Sequence, residues 1–103
     1  MFQTGSSVNI VGTSLKGYLV STREELTKVF GKPVDYAEGD KVTTEWKIKF
    51  DNGLVACIYD WKRYENGRPA DNELYDWHIG GTSYDVVSLI KDAVHRSKTN
   101  VIA

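Results

Sequence analysis

Residues 46–81 read WKIKFDNGLVACIYDWKRYENGRPADNELYDWHIGG, and the fold turns on how this stretch is read. From Thr44 to Phe50 it alternates strictly. Trp46, Ile48 and Phe50 are apolar; Glu45, Lys47 and Lys49 are charged. Period two marks a strand with one buried face. Asn52-Gly53 follows, and this dipeptide suits a two-residue hairpin loop whose central positions take positive φ. With that loop, Asp51 pairs with Leu54, Phe50 faces Val55, Ile48 faces Cys57 and Trp46 faces Tyr59. Those side chains share an apolar face. The other face sets Lys49 against Ala56, Lys47 against Ile58 and Glu45 against Asp60. A one-residue slip is expected to bury lysines, so the pattern should hold the register. A third run, Leu74 to Ile79, places Tyr75, Trp77 and Ile79 on the tryptophan face. The tetrapeptides Tyr59-Asp60-Trp61-Lys62 and Tyr75-Asp76-Trp77-His78 are near-copies. The stretch therefore predicts a three-stranded antiparallel meander over about residues 43–50, 54–61 and 74–79.

Working outward, Ser21-Thr22-Arg23-Glu24-Glu25 has capping-box spacing twice, Thr22 with Glu25 and Ser21 with Glu24. Leu26, Val29 and Phe30 form a narrow apolar stripe, Gly31 is a C-cap candidate and Pro33 stops continuation. A helix is expected near 22–30. Too short to stand alone, it must pack on the sheet. After Gly80-Gly81, Thr82 with Asp85 reads as a second cap. Val86, Val87, Ile90, Ala93 and Val94 then recur at helical spacing, predicting a helix near 83–96. Val8–Val11 and Leu15–Val20 read as short strands that extend the sheet. Residues 1–7 read as a frayed start and 98–103 as a loose tail, unless Val101 and Ile102 dock. The whole is one α+β domain over 1–103, a meander packed by two helices that cover the tryptophan face.

Composition narrows the class. A net charge of −1 argues against general nucleic-acid binding or attachment to anionic membranes. No run reaches membrane-spanning length, and the N-terminus lacks the basic-then-apolar order of a signal peptide. The one cysteine, Cys57, allows no internal disulfide and reads as a buried structural thiol in a reducing, cytoplasmic setting.

Several segments carry a resemblance: Gly17-Tyr18, Leu26, Phe30-Gly31-Lys32-Pro33, Glu45-Trp46, Phe50-Asp51-Asn52-Gly53, Ile58 to Lys62 and Tyr75 to Gly81. Across most of the chain they resemble a group of small bacteriophage proteins. The resemblance implies a phage or prophage origin and action in the cytoplasm of a bacterial host. It also implies a partner among host or defence proteins, which such proteins bind and modulate. It brings no catalytic residue with it.

The residues themselves offer one candidate surface. If the apolar sets align, Glu45, Asp60, Asp76 and His78 gather on the sheet's second face, around an apolar centre of Ile58 and Leu74. The long Lys62–Glu73 connection adds Lys62, Tyr64 and Arg68, and its length exceeds what a hairpin needs. Glu45, Asp60, Lys62, Tyr64, Arg68, Asp76 and His78 are thus the expected partner-binding residues. The plainer alternative is that this face is covered and the aspartates satisfy nearby backbone donors. Asp76 and His78, two apart on a strand, could do acid–base work, but no nucleophile accompanies them. Metal-ligand spacings are absent, and neither cofactor nor metal is expected. Gly80-Gly81-Thr82-Ser83 before a helix could hold a nucleotide phosphate, with Trp61, Tyr64 or Trp77 stacking on the base. Small-nucleotide binding is therefore the competing class. A free sheet edge would also permit pairing of two copies.

Overall fold

A computed structural model of the chain describes residues 1–99. The elements are β1 (Phe2–Thr4), β2 (Ser14–Ser21), α1 (Arg23–Phe30), β3 (Val34–Asp35), β4 (Thr44–Phe50), β5 (Val55–Tyr59), β6 (Tyr75–Gly81) and α2 (Asp85–Thr99), with a 3-10 turn at Tyr64–Asn66. This is an α+β fold with a six-stranded antiparallel sheet, ordered β1-β4-β5-β6-β2, with β3 also pairing with β4. The meander is β4-β5-β6. No helix among the described residues is long and apolar enough to cross a membrane.

The N-terminus departs from expectation. Residues 2–4 pair with β4 instead of fraying, and Phe2 packs on Phe30 and Phe50, with ring centroids 5.2 and 6.1 Å away. Residues 8–11 form no strand. They belong to a segment that crosses the sheet's second face, where Ile10 and Thr13 stand beside Cys57 and Tyr59. Leu15–Val20 is a strand as expected, the terminal one beyond β6. Of the expected loose tail over 98–103, residues 98 and 99 instead continue α2, and the rest lie outside the described residues.

The hairpin register is one residue from the expected one. Trp46 faces Ile58, Ile48 faces Ala56 and Lys49 faces Val55. The loop holds three residues, with Gly53 N–H donating to the Phe50 carbonyl at 2.9 Å and Phe50 N–H to the Leu54 carbonyl at 2.8 Å. Only Gly53 takes positive φ, at 88°, whereas the two-residue loop would have forced Asn52 there too. Asn52 instead accepts from Leu54 N–H at 3.0 Å. The slip buries no lysine. It turns β5 over, bringing Ala56 and Ile58 into the core and sending Cys57 and Tyr59 to the second face.

Both helices cover the tryptophan face. Leu26 and Phe30 of α1 and Val86, Ile90 and Val94 of α2 close over Trp46, Ile48, Ile58, Trp77 and Ile79. Trp46 and Trp77 meet edge to face at 5.2 Å. Their indole N–H groups donate to the carbonyls of Gly31 (2.8 Å) and Ser21 (3.1 Å), the residues bracketing α1 and its N-cap. A helix too short to persist alone is thus fastened at both ends by the core. Thr22 caps it through Glu25 N–H at 3.0 Å, while the Glu25 carboxylate takes the Ser21 hydroxyl. At α2 the expected cap shifts. Ser83 Oγ accepts from Asp85 N–H at 3.2 Å, and Thr82 Oγ1 accepts from Val55 N–H at 3.1 Å, tying the turn to β5.

Candidate functional site

The strand parities decide which side chains reach the second face. In β4 they are Glu45, Lys47 and Lys49; in β5, Cys57 and Tyr59; in β6, Asp76 and His78; in β2, Tyr18 and Val20. The two near-copies therefore point opposite ways. Tyr75 and Trp77 turn to the core, whereas Tyr59 and Trp61 turn outward. Trp61 N–H donates to the Tyr75 hydroxyl at 3.0 Å, joining the two copies across the sheet.

The outward rings form one cluster about His78. Its centroid lies 4.9 Å from Tyr18, 5.4 Å from Tyr59 and 6.2 Å from Trp61, and Tyr59 meets Trp61 at 6.2 Å. Tyr18 is 47% exposed, Trp61 39% and Val20 62%, a contiguous aromatic and aliphatic surface. His78 Nδ1 is buried with no hydrogen-bond partner. Burial lowers the imidazole's pKa, against the opposing pull of Asp76 and Asp60. Asp76 shares the face, but no hydrogen bond joins it to His78, so the two form no hydrogen-bonded acid–base pair. Cys57, beneath the N-terminal segment, has its thiol pushed up to about 11, first by burial and then by the charge of Glu45. That is the opposite of an activated nucleophile.

The seven expected residues divide. Glu45, Asp76 and His78 lie on the second face, and Lys62 reaches it with Nζ 5.4 Å above the Trp61 ring. Tyr64 is exposed on the loop, with φ of 45°. Asp60 does not belong to any surface. It is fully buried, and its carboxylate accepts from Thr43 N–H (2.7 Å), Thr44 N–H (3.0 Å) and the Thr43 hydroxyl (2.5 Å). Ile58, expected at the centre of the patch, is in the core instead. Arg68 is committed elsewhere: its guanidinium donates to the Tyr36 carbonyl and lies 3.4 Å from Asp35 and 3.8 Å from Glu38. The Asp35 contact is one of charge only, because Nε is misaligned for a hydrogen bond.

The long connection is pinned more firmly than its polarity suggests. Arg63 donates to the Gly67 carbonyl at 2.6 Å, pairs with Glu73 at 2.8 Å and stacks over Tyr75 at 5.0 Å. The Arg63 hydrogen bond holds Glu73 below its usual pKa, as Arg23 does for Asp35. Tyr18 and Tyr59 were not among the expected site residues. The pattern Tyr18-x-Val20 was a signal for Tyr18, while Tyr59 was lost with the register.

Beside the ring cluster, two shallow hollows of about 520 and about 220 Å3 share Val42, Glu45 and Trp61 in their walls. Glu45 is only 8% exposed, and one carboxylate oxygen takes the Tyr36 hydroxyl at 2.8 Å. Burial, with that bond second, raises the Tyr36 pKa to about 12. Among the described residues no cluster of three or more histidine, cysteine or acidic side chains could hold a metal. No protein-family model matches the chain, and neither a curated protein nor a solved structure is significantly similar to it.

Proposed function

We propose that the protein is a non-enzymatic binding protein that holds a partner protein on the uncovered part of its second sheet face. The observation that carries this reading is the ring cluster in which exposed Tyr18 and Trp61 pack on half-buried Tyr59 and His78, flanked by Val20 and rimmed by Asp76 and Lys62. A chain with room for Trp46 and Trp77 in its core leaves Trp61 and Tyr18 outside. Contiguous exposed apolar surface with a charged rim is the usual make-up of an interaction site. Tyrosine and tryptophan also dominate binding hot spots. The unpaired imidazole and the unreactive thiol weigh against catalysis at the same place. The resemblance to phage proteins supplies the setting, a host or defence protein met in the bacterial cytoplasm.

The test is affinity capture from bacterial lysate with the wild type and a Tyr18→Ala/Trp61→Ala variant. Both side chains are half exposed, so the variant should keep a thermal transition within about 5 °C of wild type. Its yield of a stoichiometric partner should fall at least about thirtyfold. Equal capture by the two proteins would contradict the reading. A small adduct in native mass spectra, with no captured protein, would replace it with nucleotide or metabolite binding.

A further inference from the structure

We propose that the trough containing Glu45 and Trp61 is a receptor for one arginine side chain of the partner. The inference rests on the partner-binding reading and names the chemistry recognised.

It starts from the energetics of Glu45. A carboxylate taken out of water is costly unless it is paired. Glu45 is only 8% exposed and its free carboxylate oxygen meets solvent, yet no cation lies within ion-pair distance of it among the described residues. Arg23, Arg63 and Arg68 pair with other acids: Asp35 and Asp71 for Arg23, Glu73 for Arg63, Asp35 and Glu38 for Arg68. Lys41 stands at the trough's rim, and Lys62 lies over Trp61, but neither pairs with Glu45. Burial is the first cause of the raised Tyr36, Cys57 and Tyr59 groups, and the Glu45 charge adds to it in each, after Cys57 in the case of Tyr59.

The geometry around the carboxylate completes the argument. The Tyr36 hydroxyl fixes one oxygen, and the other has no donor among the described residues. Glu45 lines both hollows, and Trp61, Tyr36 and Tyr59 supply aromatic walls. A carboxylate among the aromatic walls of a trough matches a flat cation that can stack on a ring while donating to an acid. Guanidinium does both, whereas ammonium is a compact, strongly hydrated charge that stacks poorly. The hollows are open to solvent at one side, as an incoming side chain requires.

The test titrates the protein with Nα-acetyl-L-arginine amide and, in parallel, with the neutral isostere Nα-acetyl-L-citrulline amide and with Nα-acetyl-L-lysine amide. The Trp61 indole N–H resonance reports binding. Arginine amide should saturate with a Kd on the order of 1 mM, the scale for so small a ligand. Citrulline amide should bind at least tenfold more weakly, and lysine amide between the two. Glu45→Gln keeps an acceptor for Tyr36 and removes the charge, so it should fold and lose arginine binding at least tenfold. Equal shifts with citrulline, unchanged affinity in Glu45→Gln, or no saturable shift of Trp61 would overturn the proposal. The partner-binding reading fails separately. If wild type and Glu45→Gln capture the same partner equally while Tyr18→Ala/Trp61→Ala does not, the arginine receptor falls and the partner surface stands.

Discussion

Asp60→Ala should destabilise the fold by about 3–5 kcal/mol, the largest single-site polar effect in the molecule. The carboxylate sits at the end of β5 and receives the backbone N–H groups of Thr43 and Thr44 and the Thr43 hydroxyl, all buried. Truncation leaves these donors in the core with no acceptor, and each unsatisfied group costs roughly 1–3 kcal/mol. The strand ladder gives weak cover, since Asp60 N–H reaches the Thr44 carbonyl only at 3.4 Å. In a chain of this size the loss corresponds to a fall of about 15–25 °C in Tm. Asp60→Asn separates the hydrogen bonds from the side chain's mere presence. One amide oxygen can still serve both N–H groups, and the Thr43 hydroxyl can turn to accept, so the cost should be about 1–2 kcal/mol. Urea titrations followed by tryptophan fluorescence give both values. A change below about 0.5 kcal/mol in Asp60→Ala would mean that water already solvates the carboxylate and its donors.

Gly81→Ala should cost about 2–3 kcal/mol through overpacking. A Cβ at Gly81 would stand 2.4 Å from Val86 Cγ2 and 3.3 Å from the carbonyl oxygens of Ser83 and Val55. Val86 is fully buried, and carbonyl oxygens cannot be moved without moving strand and turn. Gly80 is similarly confined, with its Cβ position 2.8 Å from Cys57 Sγ. The glycine pair thus serves close approach between β6, β5 and the start of α2. The neighbouring Thr82 hydroxyl is turned to β5, leaving the turn's side chains occupied with packing. Double-mutant analysis makes the point specific: Val86→Ala vacates the colliding methyl groups, so Gly81→Ala should cost at least 1 kcal/mol less in that background. Additive losses would show that Val86 is not the obstacle.

These two sites mark how far the sequence could be read. The faces of β4 were legible because only one parity of Thr44–Phe50 is apolar. The partner strand was not, since Leu54-Val55-Ala56-Cys57-Ile58-Tyr59 is apolar on both parities and either fits a core. The loop then chose the register by the number of residues forced to positive φ, one glycine against an asparagine and a glycine. With β5 turned over, Tyr59 moved to the second face and Ile58 to the core. Asp60 and Asp76 look alike in sequence, but Asp60 ends its strand beside two threonine amides, whereas Asp76 stays exposed within its strand. Glu45, Asp76 and His78 were placed correctly on the second face by parity alone. The commitment of Arg68 could not be seen because its partners, Asp35 in β3 and Tyr36 and Glu38 just after it, lie about thirty residues earlier. The Arg23–Asp35 pair was hidden because it joins α1 to β3, and the Arg63–Glu73 pair because it closes the long connection on itself.

On the proposed reading the chain sorts its tryptophans by role, Trp46 and Trp77 for the core and Trp61 for a partner. Hydroxyl-radical footprinting read by mass spectrometry tests it directly, on the free protein and on the complex captured from lysate. In the free protein Trp61 should be oxidised at least tenfold faster than Trp46 or Trp77, which are about 1% and 0% exposed. In the complex Trp61 and Tyr18 should become protected while the other two tryptophans stay unchanged. Equal oxidation of Trp61 in free and bound protein, or protection confined to the helical face, would contradict the claim.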